Sequence, residues 1–200
     1  MVTTESARGP YAKTADRRRD ILEAAVRVFS SSGYRKGSLR DVAALVGMSQ
    51  AGLLHHYPTK HALLEAVLSW RDEDALDRIS PDARGIDSLR ALIAQAQHNE
   101  TTPELVELHV TMSAEGTAED HPVHDYFVRR YAYVLTMLRT AFEQAAEDGV
   151  LREGTDITSA ARTSVAVWDG LQIQWLLDKE SVDMAGELRR YLQALVTVPL

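Results

Sequence analysis

Apolar residues recur at helical spacing along almost the whole 200-residue chain. The alternation of apolar and polar residues that is typical of a half-buried strand is not sustained in any segment. Because helices and strands bury residues of different period, this pattern predicts an all-α fold. The first helix is expected to begin near Thr14 and to end at Gly33, and its apolar face consists of Ile21, Leu22, Ala25, Val28 and Phe29.

Two short helices joined by a tight turn are predicted next. Ser38 stands where a helix N-cap belongs, and Gly47 stands where that helix closes. Ser49 is the N-cap candidate of the following helix, which Pro58 must end because proline has no N–H to donate. Each helix is expected to have about two turns, and the turn between them about three residues.

Longer helices fill the rest of the sequence. One follows Pro58 and is expected to reach about Ile79, and the remaining ones are predicted at about residues 86–98, 103–115, 123–147, 156–178 and 182–195. Residues 1–12 show no sustained periodicity and are predicted to be a disordered arm. The predicted domains are a helix-turn-helix domain at residues 13–60 and a larger helical domain at residues 61–200.

Composition removes several classes of protein. Hydrophobic residues make up 45% of the chain, which allows a substantial core, and there is no cysteine. Disulfides, thiolate zinc sites and a cysteine nucleophile are therefore excluded. The polar N-terminus lacks the apolar run of a secretion signal, and no segment has the roughly 18 apolar residues that cross a bilayer. We expect a cytoplasmic protein with no membrane partner.

Charge is distributed unevenly along the chain, whose formal net charge is -7. Residues 1–60 contain 10 Lys or Arg against 5 Asp or Glu, whereas the remaining residues contain 12 against 24. A basic segment on a larger acidic one indicates that a polyanion would engage only the N-terminal part.

The two short helices at residues 38–57 have the form of a helix-turn-helix. The DNA major groove admits one helix, whose first turn must offer side chains to the base edges while its back packs on a core. Gln50 meets the first requirement, and Leu53 with Leu54 or Tyr57 meets the second. Short helices separated by a glycine also occur in ordinary all-α proteins, so the local basic charge is needed to favour DNA.

The stretch SLRDVAALVGMSQAGLLHHYPTKHALLEAVL resembles the signature of the TetR family of bacterial transcriptional regulators. The resemblance covers roughly residues 15–70, with a weaker one around VAVWDGLQIQWLLD. The sequence departs from the family at Gly52, where threonine is usual, and at Leu54, where a tyrosine usually contacts phosphate. The positions in register are Ser38, Arg40, Val42, Ala43, Gly47, Met48, Ser49, Leu53, His56, Tyr57, Thr59, Lys60 and Leu63.

The resemblance implies a sequence-specific DNA-binding repressor that a small-molecule effector releases from a palindromic operator. Arg40 and Gln50 would then read bases, and Ala51 would lie against a thymine methyl group. Backbone contacts would come from Ser38, His55, His56 and Lys60, with the two histidines replacing the polar groups that are missing at residues 52 and 54. The full set expected at the DNA is Ser38, Arg40, Ser49, Gln50, Ala51, Gly52, His55, His56 and Lys60.

The C-terminal helices of the TetR family hold a dimer interface and an effector cavity. Stripes at helical spacing predict the interface, and apolar residues with scattered polar groups predict a pocket for a small organic effector. The interface prediction comprises Trp168, Leu171, Gln172, Trp175, Leu188, Tyr191, Leu192 and Leu195. The pocket prediction comprises Leu92, Gln95, Leu108, Met112, Tyr126, Tyr133, Met137 and Trp168. Both stripes are also compatible with plain core packing.

Two other functions are compatible with parts of the sequence. His121 and His124 have the H-x-x-H spacing of a metal site, with His98 and His109 on neighbouring helices, but a solvated helix start beside Pro122 is the simpler interpretation. A metal-dependent enzyme is disfavoured because no nucleophile elbow, phosphate loop or H-E-x-x-H occurs. A helical protein-interaction module with an incidental basic end is the remaining alternative. We expect no enzyme activity, no bound metal and no cofactor.

Overall fold

A computed structural model describes residues 10–80 and 82–200, which form nine α-helices. The chain divides into two compact units, one ending at Trp70 and the other comprising Arg71–Leu200. The division falls ten residues later than the boundary predicted after residue 60, inside a helix that belongs partly to each unit. No helix in the described part of the chain is both long and apolar enough to cross a membrane.

The N-terminal unit contains the predicted helix-turn-helix. Its helices are α1 (Pro10–Lys36), α2 (Leu39–Leu45), α3 (Gln50–His56) and the first part of α4 (Lys60–Leu76). The backbone leaves helical geometry at Gly33, whose φ of 68° is accessible to glycine. Because α1 begins at Pro10, residues 10–12 are helical rather than disordered, and the rest of the predicted arm lies outside the described residues.

Each of the two short helices of this unit packs one side into the core. Val42 of α2 and Leu53 of α3 are fully buried, together with Phe29 of α1 and Leu63 of α4. Of the two residues predicted to pack beside Leu53, Tyr57 is buried, whereas Leu54 is 37% exposed and does not pack in the core. The position after Leu53 on a helix points away from the core, because successive residues are about 100° apart.

The C-terminal unit contains five further helices whose bounds agree closely with the predicted ones. They are α5 (Ile86–Asn99), α6 (Pro103–Glu115), α7 (His124–Glu147), α8 (Ile157–Leu177) and α9 (Met184–Gln193). Leu89, Ile93, Phe142, Leu188 and Leu192 are at the centre of one buried apolar cluster. An isolated antiparallel bridge joins Leu151 to Val196.

Four residues predicted at a dimer interface are core residues of their own chain. Gln172, Trp175, Leu188 and Leu192 are buried within the C-terminal unit. The predicted interface must therefore be corrected at these positions, because a side chain that its own chain already covers offers no surface to a second copy. The other four, Trp168, Leu171, Tyr191 and Leu195, are partly buried and pack against the same core.

Candidate nucleic-acid interface and the polar interior of the C-terminal unit

The serines that begin α2 and α3 fix both short helices as the sequence predicts. The Ser38 hydroxyl oxygen accepts a hydrogen bond from the Asp41 backbone N–H at 3.2 Å, and that of Ser49 accepts one from the Gly52 N–H at 3.1 Å. Between the helices, Gly47 has a φ of 64°. Since each cap satisfies a backbone donor that the first turn would otherwise leave open, two helices of only seven residues are stabilised.

Helix α3 has a buried side and an exposed side. Leu53 and Tyr57 pack inward, whereas Gln50 and Ala51 at its first turn are exposed. His55 and His56 at its last turn are exposed too. The residues expected to reach bases therefore lie on an accessible first turn, and a helix whose back is held by the core presents that turn as a rigid edge.

Arg40 and Ser38 flank the start of α2 differently. Arg40 is exposed on the first turn and has the long side chain that reaches a base edge or a phosphate. Ser38 is half-buried, and its hydroxyl donates to the Asp41 carboxylate at 2.6 Å. A phosphate bond from the Ser38 hydroxyl would have to replace that hydrogen bond.

Lys60 contacts its own unit in a way that the sequence did not predict. Its ammonium donates to the Arg35 carbonyl at 3.3 Å, where α1 ends, and lies 4.4 Å from the centre of the Tyr34 ring. Burial raises the pKa of the Tyr34 hydroxyl. A cation at a helix C-terminus is stabilised by the carbonyl dipoles there, so Lys60 ties α4 to the end of α1.

The departures at Gly52 and Leu54 change the surface of α3. A Cβ at Gly52 would lie 3.3 Å from the Ser49 hydroxyl oxygen and 3.4 Å from the Met48 methyl carbon, so the first turn is crowded at the position where the signature that the sequence resembles usually has threonine. Leu54 presents an apolar side chain where the family has tyrosine. Neither position offers a polar side chain here.

A charged network that the sequence did not reveal lies inside the C-terminal unit. The Asp72 carboxylate accepts hydrogen bonds from the Tyr126 hydroxyl at 2.5 Å and from Arg130 at 2.6 Å. Arg71 donates to the same carboxylate at 3.4 Å. Burial, followed by the charge of Arg130, lowers the pKa of Arg71 to about 10. The network joins the last part of α4 to α7.

His109 is at the centre of a second, adjoining group. Its Nε2 lies 3.5 Å from one Asp169 carboxylate oxygen. The other oxygen of that carboxylate accepts a hydrogen bond from the Tyr131 hydroxyl at 2.8 Å. The Nδ1 of His109 is buried without a hydrogen-bond partner. Burial, and then the charge of Arg71, lowers the pKa of His109 to about 4 in spite of Asp169, so the imidazole is neutral at pH 7. Burial also raises the pKa of the Tyr126 and Tyr131 hydroxyls.

A signal for these residues exists in the sequence. Arg71 follows Leu64, Leu68 and Val67 at the spacing of an apolar stripe, and His109 lies in the same way between the buried Val106 and Met112. A charged or titratable residue inside an apolar stripe predicts a buried polar group, which needs a partner.

The predicted pocket residues differ in their surroundings. Leu108 and Met112 are fully buried, Tyr126 belongs to the Asp72 network, and Tyr133 is exposed. Leu92, Gln95, Met137 and Trp168 are partly buried. A cleft of about 140 Å³ lies between α7 and α8 and is lined by other residues, namely Leu135, Thr136, Arg139, Thr158, Ala161 and Arg162.

The histidines considered for a metal site have other surroundings. His121 is buried rather than solvated, and its Nε2 lies 3.3 Å from Glu115, while a ring nitrogen of His124 lies 2.9 Å from the Gly116 carbonyl. Within residues 10–80 and 82–200, no group of three or more His, Asp or Glu side chains is arranged to hold a metal ion.

Two family profiles and several known proteins match the chain. The profile of bacterial regulatory proteins of the tetR family matches residues 21–67, and that of the C-terminal part of BetI-type transcriptional repressors matches residues 82–197, more than half of the chain. The HTH-type transcriptional regulator TtgR of Pseudomonas putida is 28% identical over 184 residues, which cover 88% of this chain and 87% of TtgR. The HTH-type transcriptional repressor KstR2 of Rhodococcus jostii is 25% identical, covering 90% and 89%. The structure of a SmeT–triclosan complex has a TM-score of 0.77 at 22% identity and covers 92% and 95%.

Proposed function

Because the chain belongs to the TetR family of bacterial regulatory proteins and is a DNA-binding transcriptional regulator, we propose that it is a homodimeric repressor released from a palindromic operator by a small organic effector. It is not an enzyme. The observation that carries the proposal is the capped helix α3, whose core-facing Leu53 is buried while Gln50 on its first turn is exposed. Since the DNA of a bacterium lies in its cytoplasm, the proposal places the protein there.

Base reading is assigned to Gln50 and Arg40. A glutamine amide donates to adenine N7 and accepts from adenine N6, whereas an arginine donates twice to guanine O6 and N7. Both side chains are exposed and their helices are held by serine caps. Ala51 is exposed beside Gln50 and is small enough to lie against a thymine methyl group.

The remaining residues of the predicted set would position the unit on the DNA backbone. His55 and His56 are exposed on the last turn of α3, and Ser49 and Gly52 belong to its first turn, where the Gly52 N–H already donates to the Ser49 hydroxyl oxygen. Ser38 and Lys60 can contribute only beside the partners that they already have in the protein. Phosphate contacts carry no sequence information, so these positions set affinity and its dependence on salt.

A homodimer would use the exposed side of α8 rather than the buried residues predicted first. Thr163, Ala166, Gly170, Ile173 and Leu177 follow one another at three or four residues, and Leu177 is 82% exposed. A Cβ at Gly170 would meet only the Gln174 amide nitrogen, at 3.9 Å, so a second helix can approach closely there. A symmetric pair would place two α3 helices in grooves about 34 Å apart.

The effect of effector binding on the DNA-binding unit would be transmitted through α4. The helix contributes Lys60 to one unit and Arg71 and Asp72 to the other, and Asp72 is bound by Tyr126 and Arg130 of α7. Displacement of α7 by a ligand would move the end of α4 with it. Couplings of this kind are typically about 1–3 kcal/mol, which changes operator occupancy several-fold or more. The SmeT neighbour, which is complexed with triclosan, is a relative in fold that binds a small organic molecule.

Selection of binding sites from random double-stranded DNA tests the proposal. We expect a selected site of two related half-sites and an affinity that falls steeply with salt, because phosphate contacts release counterions. Small molecules are then screened for release of the selected site. Recovery of no preferred sequence would contradict DNA reading, and a site without two-fold symmetry would contradict the dimer.

A further inference from the structure

Buried amide groups without hydrogen-bond partners are concentrated in the C-terminal unit. Gln172 is 1% exposed and its side-chain oxygen has no partner, and the Asn99 amide nitrogen is in the same situation at 4% exposure. The side-chain oxygen of Gln95 is a third such atom. A buried amide without a partner is unfavourable, since it gives up hydrogen bonds to water without replacement, so native proteins contain few of them.

The open hydrogen-bonding capacity does not depend on how the amides are oriented. The Gln95 amide nitrogen donates to the Asn99 side-chain oxygen at 2.8 Å, so each amide satisfies one half of the other. If both amides are turned over, the bond is kept with the roles exchanged, and one N–H group and one oxygen still remain open. Gln172 keeps its orientation because its nitrogen donates to the Trp168 carbonyl at 3.4 Å.

Gln172 also borders a void in the protein interior. The void is lined by Ala96, Trp168, Leu171, Gln172 and Met184, and it is too narrow for a water molecule. Ala96 lies between Gln95 and Asn99 on α5. Water in the void therefore cannot satisfy the Gln172 oxygen, whereas the flexible side chain of Met184 can move to enlarge the space.

The residues that line the void carry no ionised group. All five are neutral, and the carboxylate of Glu100 at the end of α5 is already bound by the backbone N–H groups of Met184 and Ala185 at 2.9 and 3.4 Å. A charged ligand would lose its hydration there without gaining an ionic partner. Trp168 instead offers an aromatic face to a flat apolar body.

We propose that the effector of the C-terminal unit is an uncharged aromatic molecule with at least one hydrogen-bond donor and one acceptor, bound by Gln172, Gln95 and Asn99 beside Trp168. The proposal rests on the proposed function, because it identifies the chemical class of the effector. The ligand donates to the Gln172 oxygen, and the open N–H and oxygen of the Gln95–Asn99 pair receive its other polar group. Apolar contacts with Trp168 and Leu171 hold the ring.

A stability measurement without any ligand tests whether Gln172 is kept for binding. Gln172→Met preserves the size of the side chain and removes the open oxygen, so we expect the melting temperature to rise by about 2–4 °C. The matched control is Gln144→Met, since the Gln144 oxygen accepts from the Gly85 N–H at 2.7 Å, and its removal should lower the melting temperature. A fall for Gln172→Met as large as that for Gln144→Met would overturn the proposal.

A set of probes with one aromatic body tests the ligand class by calorimetry. The neutral 1-naphthol is compared with naphthalene, which cannot hydrogen bond, with the anion 1-naphthoate and with the cation N,N,N-trimethyl-1-naphthylammonium. We expect 1-naphthol to bind at least about tenfold more tightly than the other three, and Gln172→Met to remove that preference. Preference for either ion, equal binding of naphthalene, or no binding of 1-naphthol at millimolar concentration would overturn the proposal.

The effect of the same probes on a selected operator separates this proposal from the proposed function. If 1-naphthol binds with the expected preference but leaves operator affinity unchanged, the ligand site stands and the inducible repressor is contradicted. If another compound releases the operator from the wild type and from Gln172→Met equally, the repressor stands and the site proposed here is overturned.

Discussion

The two units differ in where their functional polar side chains lie: on the surface of the N-terminal unit and in the interior of the C-terminal unit. In the N-terminal unit, Gln50 and Arg40 are exposed and the caps of α2 and α3 have their hydrogen bonds, while the buried residues are mostly apolar, with Ser30 and the Tyr57 hydroxyl among the few polar groups. In the C-terminal unit, Arg71, His109 and Gln172 are buried, and the exposed side of α8 carries Ile173 and Leu177. The difference indicates that a DNA-reading surface can be built on a largely apolar core, whereas the C-terminal unit holds charged and polar side chains in its interior.

The outward apolar face of α8 gives the largest predicted effect. Ile173→Glu would bury two unpaired carboxylates in a symmetric interface, and an uncompensated buried charge costs about 3–5 kcal/mol each. We therefore expect a monomer by light scattering at concentrations where the wild type is dimeric. Val128→Glu is the control, because Val128 is a similarly exposed apolar residue on α7. Dimers of both variants would show that α8 is not the interface.

The inward charges of the C-terminal unit give the next largest effect. Asp72→Ala would leave Arg71 and Arg130 without their shared carboxylate, and we expect a loss of about 3–5 kcal/mol of unfolding free energy in urea. Asp74→Ala, on the same helix, removes an exposed pair with Arg78 and should cost about 1 kcal/mol or less. Equal losses of unfolding free energy for the two variants would contradict the claim that the buried charges stabilise the unit more than the exposed ones.

Acid should weaken the C-terminal unit through His109. Burial lowers its pKa to about 4 from the ordinary value of 6.5, which the histidine keeps in the unfolded chain, so the unfolded state binds the proton first as pH falls. The stabilisation is complete above about pH 6.5 and is lost as pH falls to about 4, an effect of about 3 kcal/mol. Urea unfolding of wild type and His109→Gln at pH 7 and at pH 4 measures it. An identical pH dependence in both proteins would contradict the assignment.

The caps of the N-terminal unit should have a smaller effect. Ser49→Ala removes the acceptor of the Gly52 N–H, and the loss of an N-cap costs about 1 kcal/mol. Thermal unfolding compared with Ser69→Ala, an exposed position inside α4, provides the measurement and its control. If the two variants unfold at the same temperature, the Ser49 cap does not stabilise α3.

The accuracy of the sequence predictions follows the same division. Helix positions and the caps Ser38 and Ser49 depend on neighbours within a few residues, so periodicity and capping rules located them. The charged network of the C-terminal unit depends on side chains that meet only after folding, such as Asp72 of α4 with Tyr126 and Arg130 of α7. Helical spacing also cannot distinguish an interface from a core. For this reason the sequence predicts Trp175 and Leu188 at a dimer interface, although both are buried within their own chain.

Selection of DNA sites by wild type and Gln50→Ala tests the central claim most directly. The account predicts that one base pair in each half-site loses its preference by about 1–3 kcal/mol, because an exposed amide no longer reads it. The stability of the protein should change by less than about 0.5 kcal/mol, and Gln97→Ala, an exposed glutamine of α5, should select the wild-type site. A selection profile that Gln50→Ala leaves unchanged would contradict the claim that the exposed turn of α3 reads the operator.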